Sequence, residues 1–149
     1  MKVKEKRSWR RIGGILLVLY LVLLVYFLLF SKSFGRNPGF SAYRYNLIPF
    51  REIHRFYTYW KKVGFISAFL NLVGNLAGFI PLGILVPAVC RPMRRWTRTV
   101  KLGFVLTVIL EVLQLVMKAG IFDVDDILLN TAGTLVGYLI FRIFSRFGR

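Results

Sequence analysis

Four long apolar runs dominate the pattern of hydrophobic and polar positions along the chain. Residues 12–30 contain no charged side chain, residues 63–90 are mostly apolar, and further runs cover residues 102–117 and 127–141. About 20 helical residues cross a ~30 Å hydrocarbon core at a rise of ~1.5 Å per residue. The pattern therefore predicts an all-α membrane protein, a bundle of four transmembrane helices at about residues 12–30, 63–90, 100–118 and 127–144.

The segment before the second span predicts an additional helix of a different kind. Phe50, Ile53, Tyr57 and Trp60 recur at three- and four-residue spacing, and cationic residues lie between and after them. This pattern is typical of an amphipathic helix in the membrane interface. The predicted lipid-contacting residues are Arg51, Arg55, Trp60, Lys61 and Lys62. A simple anchor and a surface for an anionic lipid or lipid-linked precursor both fit this pattern.

Composition and charge place this bundle in the membrane with a preferred orientation. The chain has 149 residues, 56% of them hydrophobic, and a net charge of +16. This size fits one membrane domain, residues 12–149, after a basic tail at residues 1–11. Fourteen of the 22 Lys and Arg residues fall on the side of the two termini. The positive-inside rule therefore predicts that both termini are cytoplasmic. Because the cations are dispersed over segments that flank the spans, nucleic-acid binding is not expected.

Uncommon polar residues interrupt three of the four spans. An ionisable side chain at mid-helix in lipid costs about 2.5–3.5 kcal/mol, so it normally faces a protein interior or a wet cavity. Counting residues from the span ends places the polar side chains of spans two, three and four at a similar, outward-facing depth. We predict that they form one polar pocket, whose candidate residues are Asn71, Asn75, Glu111, Gln114, Asp126 and Asn130.

Several interpretations of these polar residues stay open. They are either interhelical hydrogen-bonding groups alone or a pocket for a headgroup, a proton or a cation. Asp123, Asp125 and Asp126 offer oxygen ligands, but their spacing fits no EF-hand loop, and Asp123 is equally suited to cap the fourth helix. The only histidine, His54, lies outside the spans. The sequence therefore assigns no metal, no cofactor and no catalytic residue.

Four ordered motifs closely resemble the VanZ-like family of bacterial membrane proteins. They are NLIPF (46–50), NLVGN continuing to FIPLG (71–83), EVLQ (111–114), and FDVDD followed by NTAG (122–133). Many members carry an Arg just before FDVDD, where this chain has Lys118 and three uncharged residues. The resemblance implies a multi-pass protein of the bacterial cytoplasmic membrane. The family takes its name from a member associated with resistance to the glycopeptide teicoplanin.

Three functional hypotheses follow. The first is a non-enzymatic cell-envelope factor linked to glycopeptide resistance, whose pocket binds a membrane lipid, a lipid-linked wall precursor or a lipoglycopeptide. The second is an intramembrane enzyme or carrier for polyprenyl-linked lipids, with Glu111 as base or proton carrier. The third is a scaffold that docks to a membrane partner through the basic cluster at residues 91–96, although that cluster is also a simple topology signal.

Overall fold

The helices follow the predicted hydrophobic pattern. The structure is a computed structural model that describes residues 3–30, 43–59 and 65–147. Its helices, in chain order, are α1 (Val3–Phe30), α2 (Arg51–Tyr59), α3 (Phe65–Val89), α4 (Trp96–Val116) and α5 (Val124–Phe147). A short 3-10 helix at Arg91–Arg94 joins α3 to α4. Within the described residues, α1, α3, α4 and α5 are long and apolar enough to cross a membrane, which confirms the predicted four-span fold.

The differences from the prediction concern helix ends. Helix α1 begins at Val3, so it includes most of the predicted basic tail. Helix α3 continues through Pro81 and Pro87. The additional helix forms as α2, but its position at the membrane interface stays a prediction. Trp60, Lys61 and Lys62 lie outside the described residues.

Helices α3 and α5 form the tightest contact of the bundle because glycines on both helices let the backbones approach. A Cβ atom on Gly133 would overlap the carbonyl oxygen of Leu76, and one on Gly137 would overlap that of Ile80. From the α3 side, a Cβ on Gly83 would overlap the carbonyl oxygen of Thr134. Small residues at such positions permit the close packing that holds membrane helices together.

A small apolar core lies beside this contact. Phe79 and Leu82 of α3 are almost completely buried, and Leu110 of α4 and Leu24 of α1 pack into the same cluster. Most other large apolar residues of α1 are exposed, including Leu16, Val18 and Val22. Helix α1 is therefore a peripheral helix whose outer face meets lipid.

Two very short strands connect the loops at one end of the bundle. Strand β1 (Tyr45–Asn46) precedes α2, and strand β2 (Phe122–Asp123) joins α4 to α5. The two strands pair in parallel, with Asn46 opposite Asp123. The N–H of Phe122 also donates to the carbonyl oxygen of Arg44 at 3.0 Å. This pairing fixes the segment that leads into α2 against the start of α5.

Candidate functional site

The polar side chains of α3, α4 and α5 lie at the end of the bundle where α4 stops and α5 starts. Glu111 and Gln114 are each 1% exposed, and Asn75, Asp126 and Asn130 are also buried. Asn46 of β1, Asp123 of β2 and Asp125 in the first turn of α5 are buried beside them. We call these eight residues the polar cluster.

Asp123 is the centre of the polar cluster. Its Oδ1 atom accepts hydrogen bonds from the side-chain amide of Asn46 at 3.1 Å and from the backbone N–H of Asp125 at 2.9 Å. The second bond makes Asp123 the capping residue of α5. The backbone N–H of Asp123 donates to Oε2 of Glu111 at 3.0 Å. The carboxylate of α4 is therefore connected to the loop that begins α5.

Asp125 supplies a cap for a different helix. Its two carboxylate oxygens accept hydrogen bonds from the N–H groups of Phe50 and Glu52, the latter at 2.8 Å. Phe50 directly precedes α2 and Glu52 lies in its first turn, where a negative charge is favourable. Phe50 adopts a φ of 63°, a left-handed conformation that is uncommon for a bulky residue. The carboxylate therefore stabilises a sharp entry into α2.

The remaining members join the spans to one another. The side-chain amide of Asn75 on α3 donates to Oδ1 of Asp126 on α5. Gln114 donates from Nε2 to the carbonyl oxygen of Leu28 on α1 at 2.9 Å. Asn130 lies one turn beyond Asp126 and donates to Thr107 Oγ1 of α4 at 2.7 Å. The cluster thus contacts all four spans.

Five of the six predicted pocket residues therefore lie at one end of the bundle, where their hydrogen bonds go to several different partners. Asn75 and Asp126 contact each other, whereas the polar groups of Glu111, Gln114 and Asn130 have different partners. The side chain of Asn71 lies outside the described residues. The sequence did not place Asn46, Asp125 or Thr107 in the pocket. The acidic residues at the start of the fourth span predicted a cap for that helix at Asp123, but they gave no signal that Asp125 contacts the start of α2.

Burial of the Asp123 carboxylate affects its protonation. Loss of water contacts raises the pKa of Asp123 above its ordinary value, and the charges of Asp125 and Glu52 add to this effect. The hydrogen bonds from Asp125 and Asn46 act in the opposite direction. Within the described segments, no three His, Cys, Asp or Glu side chains are grouped as ligands of a metal ion.

The exposed surface of α2 and β1, next to the polar cluster, is basic and aromatic. Arg51 and Arg55 of α2 are exposed, and Arg55 makes a 3.2 Å ion pair with Glu52. Tyr45 is 65% exposed and Tyr57 is 82% exposed. This surface, which we call the α2 surface, is joined to the polar cluster by Asp125. Cations with interleaved aromatic rings are typical of protein surfaces that contact lipid headgroups.

Lys118 occupies the turn that ends α4. Its φ of 51° is left-handed, and the N–H groups of Lys118 and Ala119 donate to the carbonyl oxygens of Leu115 and Gln114. This is a Schellman ending with Lys118 at the position that glycine usually occupies. The ammonium group lies 4.9 Å from the ring centre of Tyr43. The residue therefore helps to hold the two loops of this end together.

Comparisons with known proteins agree with this architecture. The VanZ/LLP1 family profile matches residues 17–145. Protein VanZ from Enterococcus faecium is 26% identical over 135 residues, an alignment that covers 88% of this chain and 74% of that protein. A comparison with solved structures gave no match. The family match extends over all four spans and the polar cluster, so this chain belongs to the VanZ/LLP1 family and is a multi-pass membrane protein.

Proposed function

We propose that this protein is a non-enzymatic cell-envelope factor related to glycopeptide resistance. It binds an amphiphile with a polar or anionic head, a lipid-linked wall precursor or a lipoglycopeptide, at the end of the bundle that carries the polar cluster. The observation that carries this proposal is the pair of hydrogen bonds between the Asp125 carboxylate and the start of α2. It connects an exposed basic and aromatic surface to buried polar groups of the membrane-spanning helices.

The distribution of charge favours an anionic head. Four acidic groups of this end, Glu111, Asp123, Asp125 and Asp126, are at least nine-tenths buried, and the partly exposed Glu52 is paired with Arg55, whereas Arg51 is exposed. A ligand that approaches along the membrane surface therefore meets cations before it meets carboxylates. The sequence adds two further cations, Lys61 and Lys62, directly after α2. Basic residues near a membrane surface attract phosphate-bearing lipids, each by about 1 kcal/mol.

The charge distribution also supports an outward position of the polar cluster in the cytoplasmic membrane. At the other end of the bundle the exposed cations are more numerous. Among the described residues they are Arg10, Arg11, Arg91, Arg94, Arg95, Arg98, Lys101, Arg142 and Arg146. The positive-inside rule assigns that end to the cytoplasm, together with both termini. The α2 surface then faces the compartment where wall precursors are used and where glycopeptides act.

The position of Glu111 supports a structural role rather than chemistry. It is 1% exposed, and its Oε2 atom accepts the N–H of Asp123. A general base must reach the proton of its substrate within hydrogen-bond distance. Glu111 instead stabilises the start of α5. The alternative of an enzyme or carrier with Glu111 as base or proton carrier therefore has less support.

The test is teicoplanin susceptibility of a bacterial host that expresses the protein. We expect Asn75→Ala and Glu111→Gln to lower resistance at unchanged membrane abundance, because Asn75 contacts Asp126 and Glu111 contacts Asp123 within the cluster. Arg146→Gln, at the opposite end, is the matched control and keeps full resistance. Wild-type resistance in both cluster variants would contradict the proposal.

A binding measurement with purified protein separates the ligand from the phenotype. The probe is a polyprenyl-pyrophosphate-linked wall precursor in detergent micelles. Replacing both Arg51 and Arg55 by Gln should weaken its binding by about tenfold, which corresponds to ~1.4 kcal/mol. Equal affinity of the variant and the wild type would contradict recognition by the α2 surface. Turnover of the precursor would instead favour the enzymatic alternative.

A further inference from the structure

A cavity of about 350 Å³ lies between α1 and α3, next to the polar cluster. Its α1 wall includes Leu24, Phe27 and Leu28, and its α3 wall includes Asn75 and Gly78. Cavities of ~300–1,000 Å³ with mostly apolar walls are typical of sites for small molecules. Asn75 is the member of the polar cluster that also lines this cavity.

The cavity exists because glycine leaves a gap between the two helices. A Cβ atom on Gly78 would have Leu24 Cδ1 as its nearest neighbour, at 4.0 Å. On the α5 side of the same helix, the corresponding spaces are filled by backbone, as at Gly83. The hydroxyl of Tyr20 donates to the carbonyl oxygen of Gly78 at 2.7 Å and bridges the two helices. This bond holds α1 beside α3 without closing the gap.

The cavity opens toward the lipid. Leu23 and Phe27, which line it, are 47% and 46% exposed on the outer side of α1. The surrounding medium at this depth is hydrocarbon, because both walls belong to helices long and apolar enough to span a membrane. From Gly74 to Pro81 the α3 wall extends for about 10 Å along the helix axis. The space is therefore an elongated apolar slot with one polar end.

We propose that this slot binds the hydrocarbon chain of an amphiphile whose polar head lies at the Asn75 end. The identity of the head rests on the proposed function, but the chain site rests on the slot alone. The apolar walls exclude a polar occupant, since an unpaired polar group in an apolar site costs several kcal/mol. The polar end fits the head because Asn75 joins the slot to Asp126. One residue thus marks the boundary between head and chain.

The experiment uses the full-length protein in nanodiscs that contain phosphatidylglycerol with a diazirine in one acyl chain. After illumination, mass spectrometry maps the labelled residues. We expect labelling at Leu24 and Phe27 to exceed labelling at Val18 and Val22, which are on α1 but do not line the slot. Even labelling along α1 would overturn the proposal.

Filling the slot provides the matched comparison. Gly78→Met directs a flexible side chain into the cavity, and it should reduce labelling of Leu24 and Phe27 by about tenfold (~1.4 kcal/mol). Gly14→Met is the control, since a Cβ at Gly14 meets nothing within 4 Å and Gly14 is not in the slot. If the Met variant does not fold, Gly78→Ala takes its place. It adds only one methyl group, so the expected reduction in labelling is smaller. Wild-type labelling in folded Gly78 variants would overturn the proposal.

The outcomes separate this inference from the proposed function. Specific labelling of the slot, together with unchanged teicoplanin resistance in the Asn75→Ala and Glu111→Gln variants, would support a chain site in a protein with another role. Loss of resistance in those variants without any enrichment at the slot would overturn the chain site and leave the proposed function standing.

Discussion

At the scale of single residues, Asp125 joins two helices that are far apart in sequence. Its carboxylate accepts the N–H groups of Phe50 and Glu52, which lie 75 and 73 residues away. Asp125 is completely buried, so water does not replace these bonds in the folded protein. The left-handed conformation of Phe50 costs about 1–3 kcal/mol, and the cap from α5 helps to offset it.

Replacing Asp125 by Ala should therefore release α2. We expect a loss of about 0.5–2 kcal/mol, the usual effect of removing a helix cap, and faster hydrogen exchange at the amides of Phe50 and Glu52. Hydrogen exchange followed by mass spectrometry measures both sites. Glu52→Gln is the control, because it removes the partly exposed ion pair with Arg55 but keeps the backbone N–H that donates to Asp125. Unchanged exchange in Asp125→Ala would show that α2 is held by other contacts.

Asp123 gives the same loop a dependence on pH. Burial raises the pKa of its carboxyl group in the folded protein, so the folded state binds this proton more tightly than the unfolded state does. The free energy of unfolding should then fall as the pH rises from 3.8, the ordinary value for this group, through the raised pKa, and level off above it.

Asp123→Asn should remove this dependence over that range, and unfolding in detergent at a series of pH values tests it. Asp123→Ala should also flatten the profile, but with lower stability at every pH, since it loses the acceptor for Asn46 and for the N–H of Asp125. An unchanged slope in Asp123→Asn would contradict Asp123 as the origin of the pH dependence.

The individual partners of these polar residues were only partly predictable from the sequence. Depth could be counted, because the rise of a helix is constant, and Asn75 and Asp126 do meet. Gln114 and Asp125 could not be assigned, because their partners are backbone groups of Leu28, Phe50 and Glu52. Every residue carries such groups, so the sequence gives no signal for them.

At the scale of helices, the two faces of α3 differ in how closely they are packed. Toward α5, glycines bring the backbones into direct contact, as Gly133 and Gly137 do against Leu76 and Ile80. Toward α1, Gly78 leaves open space. The same four-residue spacing, which is typical of close helix packing, separates Gly133 from Gly137 and Gly74 from Gly78. Spacing identifies a small-residue face but does not identify its neighbour, which explains why Gly78 differs.

Gly133→Ala should therefore destabilise the protein, whereas Gly78→Ala should leave its stability nearly unchanged. A methyl group at Gly133 forces α3 and α5 apart and should cost about 1–3 kcal/mol or more. The same change at Gly78 meets ordinary contact distances and should stay within about 0.5 kcal/mol of the wild type. Thermal unfolding of the purified proteins in detergent measures both. Equal stability of the two variants would contradict the close contact between α3 and α5.

At the scale of the whole molecule, the two ends of the bundle have different chemistry. One end combines the polar cluster with the α2 surface, and the other presents exposed arginines around the 3-10 helix at Arg91–Arg94. The hydroxyl of Tyr138 donates to the carbonyl oxygen of Arg94 at 2.8 Å, which fixes this basic loop to α5. The four spans were readable from hydrophobicity, whereas the pairing of β1 with β2 was not, because strands of two residues leave no periodic pattern.

This difference between the ends predicts the orientation in the membrane, and single cysteines test it. Cys90 is exposed at the arginine-rich end, and Tyr57 on α2 is 82% exposed near the opposite end. If positive charge holds the arginine-rich end in the cytoplasm, a membrane-impermeant maleimide should label Tyr57→Cys, in a Cys90→Ser background, on intact cells. The native Cys90 should react only after the membrane is permeabilised. The reverse pattern would place the polar cluster on the cytoplasmic side and would exclude an outward-facing binding site, whatever the effect of cluster variants on resistance.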